Sequence, residues 1–121
     1  MSAKHIIKSS DDISEALKKG KKYHNSLFTM FVRVTPEHRD PSGRVAFIAA
    51  KRLGNAVWRN RSKRVLRAAF RDAGGVIPGY DIILMAKLST QRAGSTAVSA
   101  EIMRTLAKCL KNYTYQHYSS L

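Results

Sequence analysis

Residues 51–71, KRLGNAVWRNRSKRVLRAAFR, restrict the fold more than any other stretch of this chain. They hold eight of its 22 Lys and Arg residues and no Asp or Glu. Gly54-Asn55 is a turn signal, and an Asn side-chain oxygen at that point can accept from the free N–H groups of a first helical turn. From Ala56 onward, a step of about 100° per residue sorts the side chains into two faces. Asn60, Lys63, Arg64, Arg67 and Arg71 share an arc of about 100°. Trp58, Val65, Leu66 and Ala69 lie opposite, and Arg59 and Arg61 flank them. A helix patterned in this way packs one side on a core and leaves a ladder of cations in solvent.

Lys and Arg are good helix formers, so a plain solvated face is the competing reading. A solvated face, however, usually mixes signs and gains i,i+4 pairs. Without a single carboxylate, this one repels itself until a polyanion completes it, which is the footprint of a nucleic-acid surface. The candidate RNA contacts are Lys51, Arg52, Asn55, Arg59, Asn60, Arg61, Lys63, Arg64, Arg67 and Arg71. Lys51 and Arg52 precede the cap, where the helix N-terminus itself favours anions. The formal net charge of +14 and a pI near 10.4 argue for an anionic partner as well. Lys18, Lys19, Lys21 and Lys22 form a second basic patch, which reads equally as a solvated helix end or as an RNA contact.

The pattern GNAVxRNRxKRxLRxxF is carried here by Gly54, Asn55, Ala56, Val57, Arg59, Asn60, Arg61, Lys63, Arg64, Leu66, Arg67 and Phe70. It resembles the signature "RNR" motif of the protein-subunit family of bacterial ribonuclease P. The likeness extends more weakly over almost the whole chain, through element order, length and charge. In that family the RNA subunit and its bound Mg²⁺ cleave precursor tRNA, while the protein helps bind the 5′ leader and stabilises the active RNA. The resemblance therefore implies a non-catalytic subunit of an RNA-based endoribonuclease, partnered by the catalytic RNA and the precursor tRNA leader. It implies Mg²⁺ in the complex, no cofactor on the protein alone, no obligate protein partner and a cytoplasmic setting.

Family proteins also line a shallow cleft, between the first helix and the open side of the sheet, with aromatic side chains on which single-stranded bases stack. The matching positions are Ile13, Leu17 and Phe31. Only Phe31 is aromatic, so this chain departs from the pattern on its helix. Ala46, Ile48 and Ala50 alternate along the neighbouring strand and complete the candidate leader cleft. Ile13, Leu17 and Ile48 read equally as core, and the alternative for Phe31 is an aromatic covered by the first helix.

With 121 residues, 44% of them hydrophobic, the chain is expected to be one RNA-binding domain over 1–121, with residues 1–9 flexible. Asp11 and Asp12 favour a helix start, Ile13, Ala16 and Leu17 follow at helical spacing, and Gly20 ends the element. Residues 27–34 alternate as a strand, with Phe28, Met30, Val32 and Val34 on one face and Leu27, Thr29, Phe31 and Arg33 on the other. Residues 35–43 have the chemistry of an exposed loop between paired strands, and 44–50 form the next strand. GGVIPG breaks the long helix, and DIILMAK, residues 81–87, carries a continuous apolar run between its terminal Asp and Lys and suits a central buried strand. STQRAGS reads as a loop, and Val98, Ile102, Leu106, Cys109 and Tyr113 mark a last amphipathic helix.

The expected fold is α/β, a two-layer α-β sandwich of about four strands and three helices with the two larger helices on one face. The resemblance adds the fourth strand, near residues 22–24. It also implies a left-handed βαβ crossover, where generic chirality favours a right-handed one.

Nothing in the chain assembles a catalytic centre of its own. Its eight acids are scattered: Asp11, Asp12, Glu15, Glu37, Asp40, Asp72, Asp81 and Glu101. His5, His24, His38 and His117 lack ligand spacing, and no phosphate-binding glycine loop is present. Neither catalytic nor metal-ligating residues are expected. The single cysteine, Cys109, excludes an intramolecular disulfide and reads as a small core residue. No apolar run approaches the roughly 18 residues that span a membrane. A ribosomal or RNA-chaperone protein shares the charge and size, and only the ordered motif separates the two readings. A DNA-recognition helix would mix base-reading side chains among its cations.

Overall fold

The computed structural model describes residues 5–110. Four strands, β1 (Lys21–His24), β2 (Phe28–Val34), β3 (Arg44–Ile48) and β4 (Tyr80–Ala86), form one sheet in the order β1-β2-β4-β3. β2 runs antiparallel to both β1 and β4, and β3 runs parallel to β4. The helices are α1 (Ser10–Lys19), α2 (Ala56–Asp72) and α3 (Leu88–Cys109), and a 3-10 turn, Lys51–Leu53, leads from β3 towards α2.

β4 takes the interior position because it is apolar on both sides. Ile82 and Leu84 face the main core and Ile83 faces the other way, all fully buried. It thereby separates β2 from β3, so the 35–43 loop does not join paired strands as its turn chemistry suggested. On one face Phe28, Met30, Val45, Ile82 and Leu84 pack against Leu66, Ala69 and Phe70 of α2 and against Val98, Ile102 and Leu106 of α3. This is the expected layer of two larger helices. On the opposite face α1 covers only the row Phe31, Ile83 and Ala46, through Ala16 with Ile13 and Leu17 beside it.

Residues 5–9 are docked rather than loose. Ile6 bridges Val45 in parallel register, the Ile7 N–H donates to the Val45 carbonyl at 2.9 Å, and the Ile7 side chain is buried. β3 is an edge strand, and its free hydrogen-bonding groups recruit this segment. The stretch expected as a loop, 89–95, is largely helical. The Lys87 N–H donates to Thr90 Oγ1 at the start of α3, and Gly94, at φ 83°, marks a kink before the helix continues. Val98, Ile102 and Leu106 are buried as the spacing predicts, whereas Tyr113 and His117 lie outside the described residues.

Candidate RNA interface

The motif helix begins as its sequence predicts: Asn55 Oδ1 accepts from the Trp58 N–H at 2.8 Å. Gly54 is required there by space, because a Cβ on it would stand 2.9 Å from the Trp58 ring. Trp58 therefore closes over its own turn and belongs to neither core cluster, contrary to its expected place on the core face. The buried stripe of α2 is Ser62, Leu66, Ala69 and Phe70, and Val65 is half-buried at its border.

Every candidate contact on this segment remains accessible to some degree. Lys51, Arg52, Asn55, Asn60, Arg61, Arg64, Arg67 and Arg71 are exposed, and Arg59 and Lys63 are half-buried. None of these cations is in an ion pair among the described residues. Arg59 Nε is buried without a hydrogen-bond partner, an unmet donor at the edge of the ladder. The ladder is not uniform, however. Arg61, Arg64 and Arg71 point to solvent, whereas Lys63 and Arg67 border a cavity beside β3.

The predicted leader cleft is rearranged. Phe31 is only 7% exposed and Ala46 only 4%, so both lie under α1 and neither offers an open stacking face. Ile13, Leu17 and Ile48 are half-buried around them. The apolar pattern marked this face correctly, but α1 fills its centre. The opening lies one row further along the sheet, past the helix. A cavity of about 570 Å³ spreads over Thr29, Met85 and Ala50, with Lys22, Arg52 and Lys87 in its walls. Of the predicted cleft residues only Ala50 lines it, and no carboxylate does. Lys22 also stands 5.7 Å from the centre of the Phe31 ring. Sequence reasoning missed Lys87 and Met85 because their place depends on the strand order; the alternation along β4 was the available signal.

Two of the acids, Asp81 and Asp12, hold the scaffold. The fully buried Asp81 accepts from Arg44 Nε and Nη2 at 3.0 and 2.7 Å, from Arg33 Nε at 3.2 Å and from Thr35 Oγ1 at 3.0 Å. Arg44 Nη1 continues to Asp12 at 3.2 Å, and Asp12 accepts from Arg39 Nη2 at 3.0 Å. This chain of charges fastens the first turn of α1 to the sheet and so fixes where α1 ends its cover. Burial works to raise the Asp12 carboxyl, but the Arg44 and Arg39 hydrogen bonds and charges outweigh it and leave it below its ordinary value. Hydrogen bonding to Asp81 raises Arg44 in turn, against its burial. The Cys109 thiol is pushed up by burial, as suits a half-buried packing residue. Among the described residues no group of three His, Cys, Asp or Glu side chains could hold a metal ion, and no helix is long and apolar enough to cross a membrane.

Comparison with known proteins agrees with the geometry. The family model described as Ribonuclease P matches residues 1–112. The chain is 31% identical over 116 residues to the "Ribonuclease P protein component" of Oceanobacillus iheyensis, covering 93% of each protein. It is 29% identical over 109 residues to that of Geobacillus thermodenitrificans, covering 89% of this chain and 88% of the relative. Among solved structures, the RNase P protein of Staphylococcus aureus superposes with a TM-score of 0.69 at 28% identity, covering 86% of this chain and 95% of that one. The Thermotoga maritima RNase P protein, at 23% identity and a TM-score of 0.68, shares the fold over 84% of this chain and 94% of its own. By the span of the family match, the chain belongs to the ribonuclease P protein family.

Proposed function

We propose that this chain pairs with the catalytic RNA of ribonuclease P and promotes removal of the 5′ leader from precursor tRNA, with the chemistry carried by the RNA and its Mg²⁺. The carrying observation is the division of labour in its charges. The cations from Lys51 to Arg71 make no ion pair among the described residues, while Asp12 and Asp81 are locked to internal arginines. A rigid helix holding unpaired guanidinium groups at fixed spacing suits the fixed phosphate array of a folded RNA. The larger cavity joins an apolar floor at Met85 and Ala50 to cations at Lys22, Arg52 and Lys87, which suits the bases and phosphates of a single strand. The 5′ leader is the single-stranded part of the substrate, so it is assigned to that cavity. No protein partner and no protein-bound cofactor enter this reading, and the setting is the cytoplasm.

The test is reconstitution. Protein with the catalytic RNA should release 5′ leader from precursor tRNA at modest Mg²⁺, and RNA-free protein should release none. Specific cleavage by the protein alone, retained through purification and absent from a mock preparation, would overturn the assignment. A chaperone-like protein would instead bind many RNAs and leave leader removal unchanged.

A further inference from the structure

We propose that the smaller cavity beside β3 is a nucleotide pocket, taking one unpaired nucleotide of the catalytic RNA with its base on the apolar floor and its phosphate on Lys63 and Arg67. The proposal rests on the reading of α2 as an RNA interface and goes beyond it by assigning a base-recognition site. The cavity holds about 260 Å³ and is floored by Ile6, Ile13 and Phe47, with Lys63 and Arg67 at one side and no carboxylate in its lining. It is distinct from the larger cavity, with which it shares no residue.

Three features distinguish it from a chance gap in packing. First, Arg67 is held in place, its guanidinium carbon 5.4 Å from the centre of the Phe47 ring. Phe47 is braced in turn by an edge-on contact with Phe70, at 5.9 Å between centroids and 74° between planes. A guanidinium fixed on a ring keeps its planar fork free for phosphate and offers a flat surface for stacking. Second, Lys63 and Arg67 are four residues apart on α2, so they lie on one face and can serve the same phosphate. They turn towards this cavity while Arg61, Arg64 and Arg71 stay in solvent. Third, the floor is apolar. A phosphate array alone needs no apolar floor, and a base inside a duplex cannot reach one. Unstacked bases of loops and bulges are the RNA groups that protein side chains take up in this way.

The test uses the full-length protein and the catalytic RNA of ribonuclease P from the same source. Chemical probing of the bases should reveal one unpaired nucleotide that the wild-type protein protects. Ile13→Trp fills the cavity without changing charge, and Ile6→Trp fills it from a second position in the floor. Either variant should lose that protection, flatten the salt slope by no more than the one phosphate's share of about 0.7, and lose about 10- to 100-fold in affinity. Replacing the protected base by an abasic site should weaken wild-type binding by a similar factor and leave binding by the filled variants unchanged. Protection and affinity retained by folded filled variants would overturn the proposal. Wild-type protein that protects no unpaired base, or that loses nothing on abasic substitution, would overturn it without calling on any variant. Failure of the wild-type protein to bind the catalytic RNA at all would remove the RNA interface itself, and the pocket with it.

Discussion

Neutralising the outward half of the α2 ladder should weaken RNA binding by a calculable amount and leave the fold intact. The variant is Arg61→Gln, Arg64→Gln and Arg71→Gln together, three exposed side chains with no ion pair among the described residues. Each phosphate neutralised contributes about 0.7 to the slope of log affinity against log salt on single strands and about 0.9 on duplex. Three lost contacts flatten the slope by about 2.1 to 2.7. Between 1 M salt, where the electrostatic part vanishes, and 0.1 M salt, that slope amounts to roughly a 100- to 500-fold loss of affinity. Stability should change little, since surface substitutions usually stay within about 0.5 kcal/mol each and like-charge repulsion along the helix is relieved. The assay is binding of labelled catalytic RNA across a potassium chloride series, with thermal unfolding alongside. An unchanged slope would show that these cations are merely solvated. A flattened slope with a collapsed melting temperature would show that they carry structure instead.

Asp81→Asn should cost about 3–5 kcal/mol in urea unfolding, because it leaves the Arg33 guanidinium inside the protein without its anion and Arg44 with Asp12 alone. Asp72→Asn, on an exposed residue, serves as the control, and a loss under about 1 kcal/mol would mean that the network around Asp81 is not what holds that end of the sheet. Asp12 has a carboxyl lowered in the folded state, so its contribution is present above the unfolded value of about 4 and fades as pH falls through the folded value. The melting-temperature gap between wild type and Asp12→Asn should therefore be constant near neutrality and narrow in acid; a gap that widens in acid would reverse the sign. Phe31→Ala should behave as a core truncation, costing about 3–5 kcal/mol, since α1 covers the ring. Normal stability with a selective loss of affinity for long-leader precursor tRNA would show that the ring is open after all.

Much of this protein is legible in the order of its residues because the governing interactions are local. Asn55 caps α2 through a bond to Trp58, three positions away. The burial of Leu66, Ala69 and Val98 follows from helical spacing, and the alternation in β2 sorts Phe28 and Met30 from Thr29 and Phe31. The absence of acid between residues 51 and 71 is itself an electrostatic statement that no fold can alter. The motif, read as a fixed spacing of cations and asparagines, placed a ladder of accessible cations along α2, as the structure has it.

Periodicity reports that a face is apolar but not what lies against it, and the tertiary structure decided the remainder. Whether Phe31 meets RNA or α1 depends on where the helix lands, and that depends on Asp12 reaching Arg44 across 32 residues. Trp58 has the angular position of a core residue, yet the missing Cβ of Gly54 leaves room for its ring to lie against its own turn. The place of β4 between β2 and β3 brings Lys87 and Met85 to the same cavity as Lys22 and Arg52. The docking of Ile6 and Ile7 on the edge of β3 sets Lys63 and Arg67 over an apolar floor. Charge, capping and amphipathicity are properties of neighbours along the chain, so the sequence determines them alone. Both cavities are made by residues far apart in sequence, and only the pairing of strands and the packing of helices brings those residues together.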